Sequence, residues 1–415
     1  MSVLDTVEPS GPASWSETLR AMPLLPVIMF SVSAHMMLFG MLTPVMAIYA
    51  QDFGVAEWQI GLMITVFAAG RLVADLPAGH AAPKIGLRPL LVVGLFLCSA
   101  GALIGATAQT FFILLSGRTL QGIGSGLFMT AAMFYCAHQS DRRSRGKVMS
   151  MFQGATLIGG AFGPSVGGIS AAMFGVNGPF YVAAVIGLVA GALPLMFFKD
   201  LKPAEKKSGS GNIDNPHLLL IVPFLLILLI NFGLFLTRTA GQWQMIPLMA
   251  YDRYNIGPEQ MGFAISLSAI ATLGVLPLAA FLVDRAPRPL VIVASVFGTS
   301  IALFSVVFAP TVEFLYTGMI AMGVSTGIGG PAVAAYAVDV TPADRQGPAM
   351  GTLRFAGDLG YLVGPLSIGA LVDVTGIGHS GGIAFNALLL ATFAAAFAVF
   401  AIRHATSNTN QGDRP

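Results

Sequence analysis

Apolar residues run along this chain in twelve long blocks, at about 24–50, 57–80, 89–108, 112–138, 147–172, 179–198, 218–249, 259–283, 290–309, 313–338, 348–372 and 382–402, with polar residues gathered in the gaps. A helix needs about 20 apolar residues to cross the hydrocarbon core of a bilayer, and each block supplies that length. Lipid offers no partner to backbone N–H and C=O groups, so spans of this kind satisfy themselves as helices. The pattern predicts an all-α membrane protein with 12 transmembrane helices. Composition agrees: 55% of residues are hydrophobic, 10% are charged, and 49 are glycines, which let membrane helices approach closely.

The basic residues outside the blocks set an orientation. From Arg20, Lys84 and Arg88 through Arg285, Arg288, Arg345 and Arg403 they fall on one side, and Arg253 falls on the other. Lys and Arg collect on the cytoplasmic side of membrane proteins, so both termini are expected inside. Four arginines, Arg71, Arg118, Arg238 and Arg354, lie within spans. The formal net charge of +2 therefore reflects topology, and no nucleic-acid surface is expected. No small-residue cleavage site follows the first apolar block, so no removable leader is expected. Cys98 and Cys136 fall inside spans, which points to neither a disulfide nor a metal site.

The second six blocks repeat the first six. Gly61 matches Gly262 at an offset of 262 − 61 = 201, and the same offset pairs Gly122 with Gly323, Gly159 with Gly360, and Gly163-Pro164 with Gly364-Pro365. The expected organisation is a tail over 1–22, a six-helix half over 23–198, a Lys-, Gly- and Ser-rich cytoplasmic linker over 199–217, a second six-helix half over 218–402 and a tail over 403–415. Two halves of equal topology are related by an axis along the membrane normal. Transporters built this way bind substrate at the midplane and rock the halves around it. A channel needs a filter, and no filter-like segment is present in the sequence.

Three motifs carry a family resemblance. The fifth block holds Gly159-xxx-Gly163-Pro164-xx-Gly167-Gly168, whose glycines make a flat packing face and whose proline removes a helical hydrogen bond. The fourth holds Leu114-xxx-Arg118-xx-Gln121-Gly122-x-Gly124-x-Gly126. After the second block comes Gly79-His-Ala-Ala-Pro83-Lys84-Ile-Gly86-Leu-Arg88, with Asp284-Arg285 at the equivalent turn of the second half. With these motifs the chain resembles the major facilitator superfamily, and within it the 12-span drug:proton antiporters. The resemblance covers nearly the whole chain. It departs in three places: Ser150 stands where the family has a further glycine, Pro83 stands at the acidic position of the cytoplasmic loop, and the second-half loop keeps Asp284-Arg285 but lacks the glycine. The resemblance implies a bacterial-type inner membrane, a monomeric carrier, protons as coupling ions, and a conformational hinge at Gly159, Gly163, Pro164, Gly167, Gly168, Gly364 and Pro365. It also implies that Arg118 takes part in proton movement. Met319 occupies the equivalent place in the second half, so the fold repeat does not require the arginine.

Other candidates come from helical spacing. Arg71 and Asp75, and likewise Arg354 and Asp358, stand four apart and share a helix face. At 1.5 Å per residue, Asp75 and Arg354 lie roughly 7–9 Å from the cytoplasmic helix ends, and Arg71 and Asp358 about 13–15 Å in. The pairs are expected either within each helix or across the two halves, as Asp75–Arg354 and Arg71–Asp358, and the two arrangements can alternate. With Arg118, these four residues are the candidates for proton coupling and gating. Asn231, Phe235, Arg238 and Gln242, with Trp243 beside them, and Ser31, His35 and Phe39, follow helical faces that would line a substrate cavity. For His35 a hydrogen-bonded packing role is the competing expectation.

These features favour a proton-coupled antiporter that exports a small, largely apolar drug or metabolite. The alternative is a proton symporter importing a small organic anion or other metabolite, since intramembrane arginines suit an anionic substrate in either direction. A sensor would need an added soluble domain, for which the tails are short. An enzyme would need a nucleophile–base pair, a metal-ligand cluster or a phosphate loop. None stands out in the sequence, so no cofactor or metal is expected.

Overall fold

The computed structural model describes residues 15–140, 144–198, 222–342 and 345–412. The expected linker over 199–217, and with it Lys199, Lys202, Lys206 and Lys207, lies outside the described residues, as do Arg142, Arg143 and Arg414. Among the described residues there are twelve long helices and no strand. The first half comprises α1 (Leu25–Gln51), α2 (Glu57–Ile85), α3 (Leu87–Ala106), α4 (Phe111–Gln139), α5 (Arg145–Phe174) and α6 (Gly178–Phe197). The second comprises α7 (Val222–Tyr254), α8 (Pro258–Arg285), α9 (Arg288–Val307), α10 (Val312–Asp339), α11 (Gln346–Thr375) and α12 (Gly378–Gly412). Eleven of the twelve are long and apolar enough over described residues to cross a membrane. The other, α2, has 29 residues, also a spanning length. A short helix, Trp15–Ala21, precedes α1, and α12 continues past residue 402 to Gly412.

The apolar cores reveal how the halves meet. We call the membrane face where the basic residues collect the basic side, and the other the far side. On the basic side each half has its own core: Leu25, Ile28, Leu91, Phe128 and Phe198 in the first, Phe224, Ile292, Val333 and Phe397 in the second. On the far side the core of the first half, built on Leu42, Met63 and Phe180, also takes in Trp243, Leu248 and Tyr361 of the second half. The halves are thus packed together on the far side and parted by a cleft on the basic side.

Two seams related by the internal repeat hold the far side shut, and both depend on missing side chains. In one, α2 crosses α11. A Cβ on Gly61 would lie 2.5 Å from the Pro365 carbonyl oxygen, and one on Gly369 would lie 2.8 Å from that of Glu57. In the other, α8 crosses α5, where a Cβ on Gly262 would lie 2.2 Å from the Pro164 oxygen and one on Gly168 2.5 Å from that of Pro258. Shifted by 201, the residues of one seam become those of the other. Polar groups reinforce the contacts. Thr65 Oγ1 donates to the Leu362 carbonyl (2.7 Å), and Ser266, the equivalent of Thr65, accepts from the Ser165 N–H (3.0 Å). At the far-side end of α2 the Asp373 carboxylate, from α11, accepts from the N–H groups of Glu57 (3.2 Å) and Trp58 (2.9 Å). It thereby satisfies helix-terminal donors that would otherwise lack partners.

The repeat also governs packing within each half. A Cβ on Gly122 would lie 2.1 Å from the Phe67 oxygen, and one on Gly323 2.1 Å from that of Ser268, so α2–α4 and α8–α10 approach in the same way. The turn between α2 and α3 needs Gly86, whose φ of 89° is a left-handed value that other residues avoid.

The seam geometry yields a direct prediction. Gly61→Leu places a side chain against backbone, an overpacking that costs about 1–3 kcal/mol. It should shift the equilibrium about tenfold or more towards a state open on the far side. Thiol-reagent labelling of a cysteine at Thr65 from the far side should rise in this background. Unchanged labelling would contradict the seam's role.

Candidate functional site

Where the halves meet at the closed end of the cleft, aromatic rings from both form a continuous surface. Phe39 on α1 packs against Phe67 on α2 (centroids 4.9 Å apart) and against Trp243 on α7 (5.4 Å), and Trp243 meets Tyr361 on α11 edge-on at 5.6 Å. Two guanidiniums lie on this row. Arg118 lies over the Phe67 ring at 4.8 Å, and Arg238 over the Trp243 ring at 5.2 Å. Arg118 is 1% exposed. Its Nη1 donates to Gln121 Oε1 at 2.6 Å and its Nε to the Met63 carbonyl at 3.4 Å. Among the described residues neither Arg118 nor Arg238 has a carboxylate in ion-pair contact. Both charges are held instead by ring faces and, for Arg118, by neutral oxygens.

Local chain geometry accounts for Arg238 and Trp243. Residues Thr237–Met245 of α7 wind as a π-helix, in which the Ile246 N–H reaches back five residues to the Gly241 oxygen. The sequence tolerates the wider turn because Pro247 has no N–H to donate and the Thr239 hydroxyl donates to the Phe235 and Leu236 carbonyls (3.2 and 3.3 Å). The Thr237 hydroxyl is anchored on Asn386 Oδ1 at 2.7 Å. Such turns recur at functional sites. On α7, Asn231 donates to the Leu353 carbonyl (2.7 Å) and Phe235 lies beside Gly357, both against α11, while Trp243 sits between Phe39 of α1 and Tyr361 of α11. Gln242, half-buried, falls within the π segment.

Closer to the basic side, a small cleft of about 50 Å³ is lined by Phe67, Arg71, Asp75, Phe355, Asp358 and Tyr361, among others. That is room for one or two waters, against the hundreds of Å³ that a drug-sized ligand needs. Its charged residues pair within their own helices: Arg71 Nε to Asp75 at 3.9 Å and Arg354 Nε to Asp358 at 4.0 Å. Thr130 on α4 also donates to Asp75 Oδ1 at 2.9 Å. Arg354 and Asp358 are 57% and 42% exposed, consistent with an open cleft on this side. The intrahelical arrangement is the one populated in this conformation. A larger cavity of about 300 Å³ lies between α8, α9 and α10 of the second half, apolar apart from Ser295 and Ser325, and away from these charges.

The remaining candidates sit elsewhere. His35 is 1% exposed inside the first half, with Nε2 2.9 Å from Ser125 Oγ, Nδ1 3.9 Å from Cys98 Sγ and its ring against Phe128. Ser31 is buried between α1 and α6, donating to the Ala190 carbonyl at 3.4 Å. Both therefore pack within the half, away from the aromatic row, while Phe39 alone of that trio joins it. The glycines of the fifth-span motif divide. Gly159, Gly163 and Gly167 lie against the backbone of α1 at Ser33, Met37 and Met41, whereas Pro164 and Gly168 face α8 across the seam. In the second half Gly360 and Gly364 lie against α7, and Pro365 faces α2. Sequence spacing missed Phe67 and Tyr361, since single aromatics in apolar helices carry no periodic signal.

Comparisons with known proteins agree with this architecture. A model of the Major Facilitator Superfamily matches residues 28–240 and 227–415. An MFS-type transporter of Methanocaldococcus jannaschii is 28% identical over 360 residues, covering 85% of this chain and 92% of its own. The quinolone resistance protein NorA of Staphylococcus aureus is 25% identical over 359 residues, covering 84% of this chain and 89% of its own. Among solved structures, a point mutant of the nucleoside transporter NupG superimposes with a TM-score of 0.78 at 14% identity, covering 90% of this chain and 98% of that one.

The enclosure of His35 makes a prediction. His35→Leu leaves the buried Ser125 hydroxyl without its partner and should destabilise the protein by about 1–3 kcal/mol. Substrate affinity of the folded fraction should stay the same. A selective loss of affinity with unchanged thermal stability would put the imidazole back on the cavity.

Proposed function

The chain belongs to the major facilitator superfamily, and from that premise we propose that it is a proton-coupled antiporter exporting a small, largely apolar molecule by alternating access. The observation that carries the reading is the aromatic row at the closed end of the cleft. It offers ring faces contributed by both halves, where a bound molecule would be gripped by both and released when they part. The positive-inside bias supports placing the basic side in the cytoplasm, with both termini there, in a bacterial-type inner membrane. The present conformation is then inward-facing. Export of a drug-like molecule is supported by the fifth-span motif and by the likeness to a protein named for quinolone resistance.

A second reading is favoured by one specific feature. Arg238 is exposed and lies over the Trp243 ring without a described carboxylate partner, so a planar substrate bearing an anionic group would meet a guanidinium and a stacking surface together. Such a substrate could move in either direction, import by proton symport included.

For coupling, we assign the work to the charges in the cleft. When the basic side closes, α2 and α11 draw together at matching depths, and Asp75–Arg354 and Arg71–Asp358 exchange for the intrahelical pairs. The intrahelical pairs of the open cleft are long and solvent-accessible and so weak, whereas closing buries the exchanged pairs. Protonation of either aspartate therefore costs the closed gate more and favours the inward-open state, which links proton to conformation. The glycine–proline crossings on α5 and α11 serve as pivots, because helices in backbone contact rotate about the contact more readily than they slide. The carrier works as a monomer in this scheme.

The test is transport by purified protein in proteoliposomes with an imposed pH gradient and a panel of aromatic drugs and organic anions. Movement should follow the gradient and collapse with a protonophore. Transport that survives the protonophore and needs ATP would overturn the proposal. Arg118→Ala should abolish coupled transport while leaving membrane insertion intact, since it removes a charge that costs roughly 2.5–3.5 kcal/mol to insert. Wild-type rates in that variant would return the arginine to a structural role. Asp75→Arg combined with Arg354→Asp should recover part of the activity lost in either single variant. Purely additive losses in folded protein would show that the two helices do not pair this way.

A further inference from the structure

On the far side, three titratable groups from three helices converge on one point. His379, at the start of α12, has Nδ1 2.8 Å from Asp252 Oδ2 on α7 and Nε2 2.9 Å from Glu57 Oε1 on α2. Asp252 and His379 belong to the second half and Glu57 to the first, so the Nε2–Oε1 contact bridges the halves. Asp373 on α11 is engaged by the N–H groups of Glu57 and Trp58, and Gln244 on α7 donates to the Glu57 carbonyl at 3.0 Å. Arg253, beside Asp252, turns away to donate to the Val307 carbonyl at 2.6 Å. The second oxygen of Glu57, Oε2, is buried without a hydrogen-bond partner. Among the described residues, the imidazole contacts two carboxylates and no guanidinium.

Proton counting makes this arrangement informative. Two lone-pair acceptors do not approach to 2.9 Å without a proton between them. The contact to Asp252 needs one proton and the contact to Glu57 needs another. A neutral imidazole brings one, and two carboxylates bring none. The bridge is therefore complete only with one proton more than a neutral histidine and two carboxylates hold, whichever atom carries it. The repeat offers no copy: the positions equivalent to Glu57, Asp252 and His379 at an offset of 201 are Pro258, Gln51 and Gly178. The cluster is an addition to one seam rather than a requirement of the fold.

We propose that His379, Glu57 and Asp252 form a proton-binding latch, and that shutting the far side takes up one proton there. The inference rests on the alternating-access reading but is independent of substrate and direction. With the far side open, Glu57 moves off with α2, while Asp252 stays on His379 and holds the imidazole with Nδ1–H inward and Nε2 facing the aqueous opening. A proton taken at Nε2 becomes the donor that Glu57 meets on closing. Closing raises the cluster's affinity for the proton. By reciprocity, the proton favours the shut far side, present at low pH and lost as pH rises through the titration of the closed latch.

The test measures conformation rather than transport. Labels at Asp52→Cys on the α1–α2 turn and Val374→Cys at the end of α11 report the far-side opening by their separation in nanodiscs, and the native Cys98 and Cys136 are buried. Between about pH 5 and 8, wild type should shift from shut towards open, the closing constant falling by up to about tenfold per pH unit between the titration of the open cluster and that of the closed latch. Glu57→Gln is the decisive variant. Its amide N–H donates to a neutral imidazole, so the latch should stay shut with no pH response. His379→Ala should be open-shifted and equally flat. If that variant fails to fold, Glu57→Gln, nearly isosteric, still decides. A flat wild-type response, or a wild-type response retained in Glu57→Gln, would overturn the latch. Either result alongside intact proton-driven transport leaves the proposed function standing. A pH-sensitive latch in a protein whose transport ignores the proton gradient does the reverse.

Discussion

Helices touching backbone to backbone are the constraint from which the rest of this molecule follows. Water drives no association between apolar surfaces inside a bilayer, so helices hold together only where they pack closely and satisfy one another's polar groups. The chain meets that need with glycines placed opposite carbonyls: Gly61 over Pro365, Gly262 over Pro164, Gly168 over Pro258 and Gly369 over Glu57. These four contacts bring the two halves into register on the far side. They also seat the aromatic row between the halves, because Phe67 and Tyr361 lie on the same two crossing helices as Gly61 and Pro365. A side chain at any of the four would separate the rings and the charges beyond them.

The polar groups fall into levels along the membrane normal, each suited to a different task. The midplane holds guanidiniums against ring faces, where a charge is tolerated only with such neighbours or a bound anion. The level nearer the basic side holds self-paired Arg–Asp groups in an open cleft, free to change partners when the cleft shuts. The far side holds a histidine among carboxylates. Only the groups at the last two levels are placed to gain or lose attraction as the halves move, which is why coupling is assigned to them and recognition to the midplane.

Much of this was legible in the sequence. The twelve blocks and the offset of 201 gave the two halves, since block length and glycine register are one-dimensional signals that lipid forces into one structure. The Arg–Asp spacings of four left two pairings open, within each helix or across the halves, and this conformation has the first. Other features depended on three-dimensional placement. Spacing put Asn231, Phe235, Arg238 and Gln242 on one face of a regular helix and gave no sign of the π turn at Thr237–Met245. A lone histidine in a helix is more often a hydrogen-bonded packing residue than a cavity group, and only the position of Ser125 on α4 shows where the nitrogens of His35 point. Glu57, Asp252 and His379 lie at the far-side ends of three helices, separated by as much as 322 residues, and no local pattern links them.

The central claim is that the seams and the cleft are two ends of one rocking motion. The most direct measurement is a pair of label separations taken on the same protein in lipid, one across the basic side (Ile85→Cys on α2 with Met350→Cys on α11) and one across the far side. Adding a transported substrate, or changing pH, should lengthen one separation and shorten the other in proportion. Separations that change independently, or a basic-side distance that stays fixed while substrate is transported, would contradict the account.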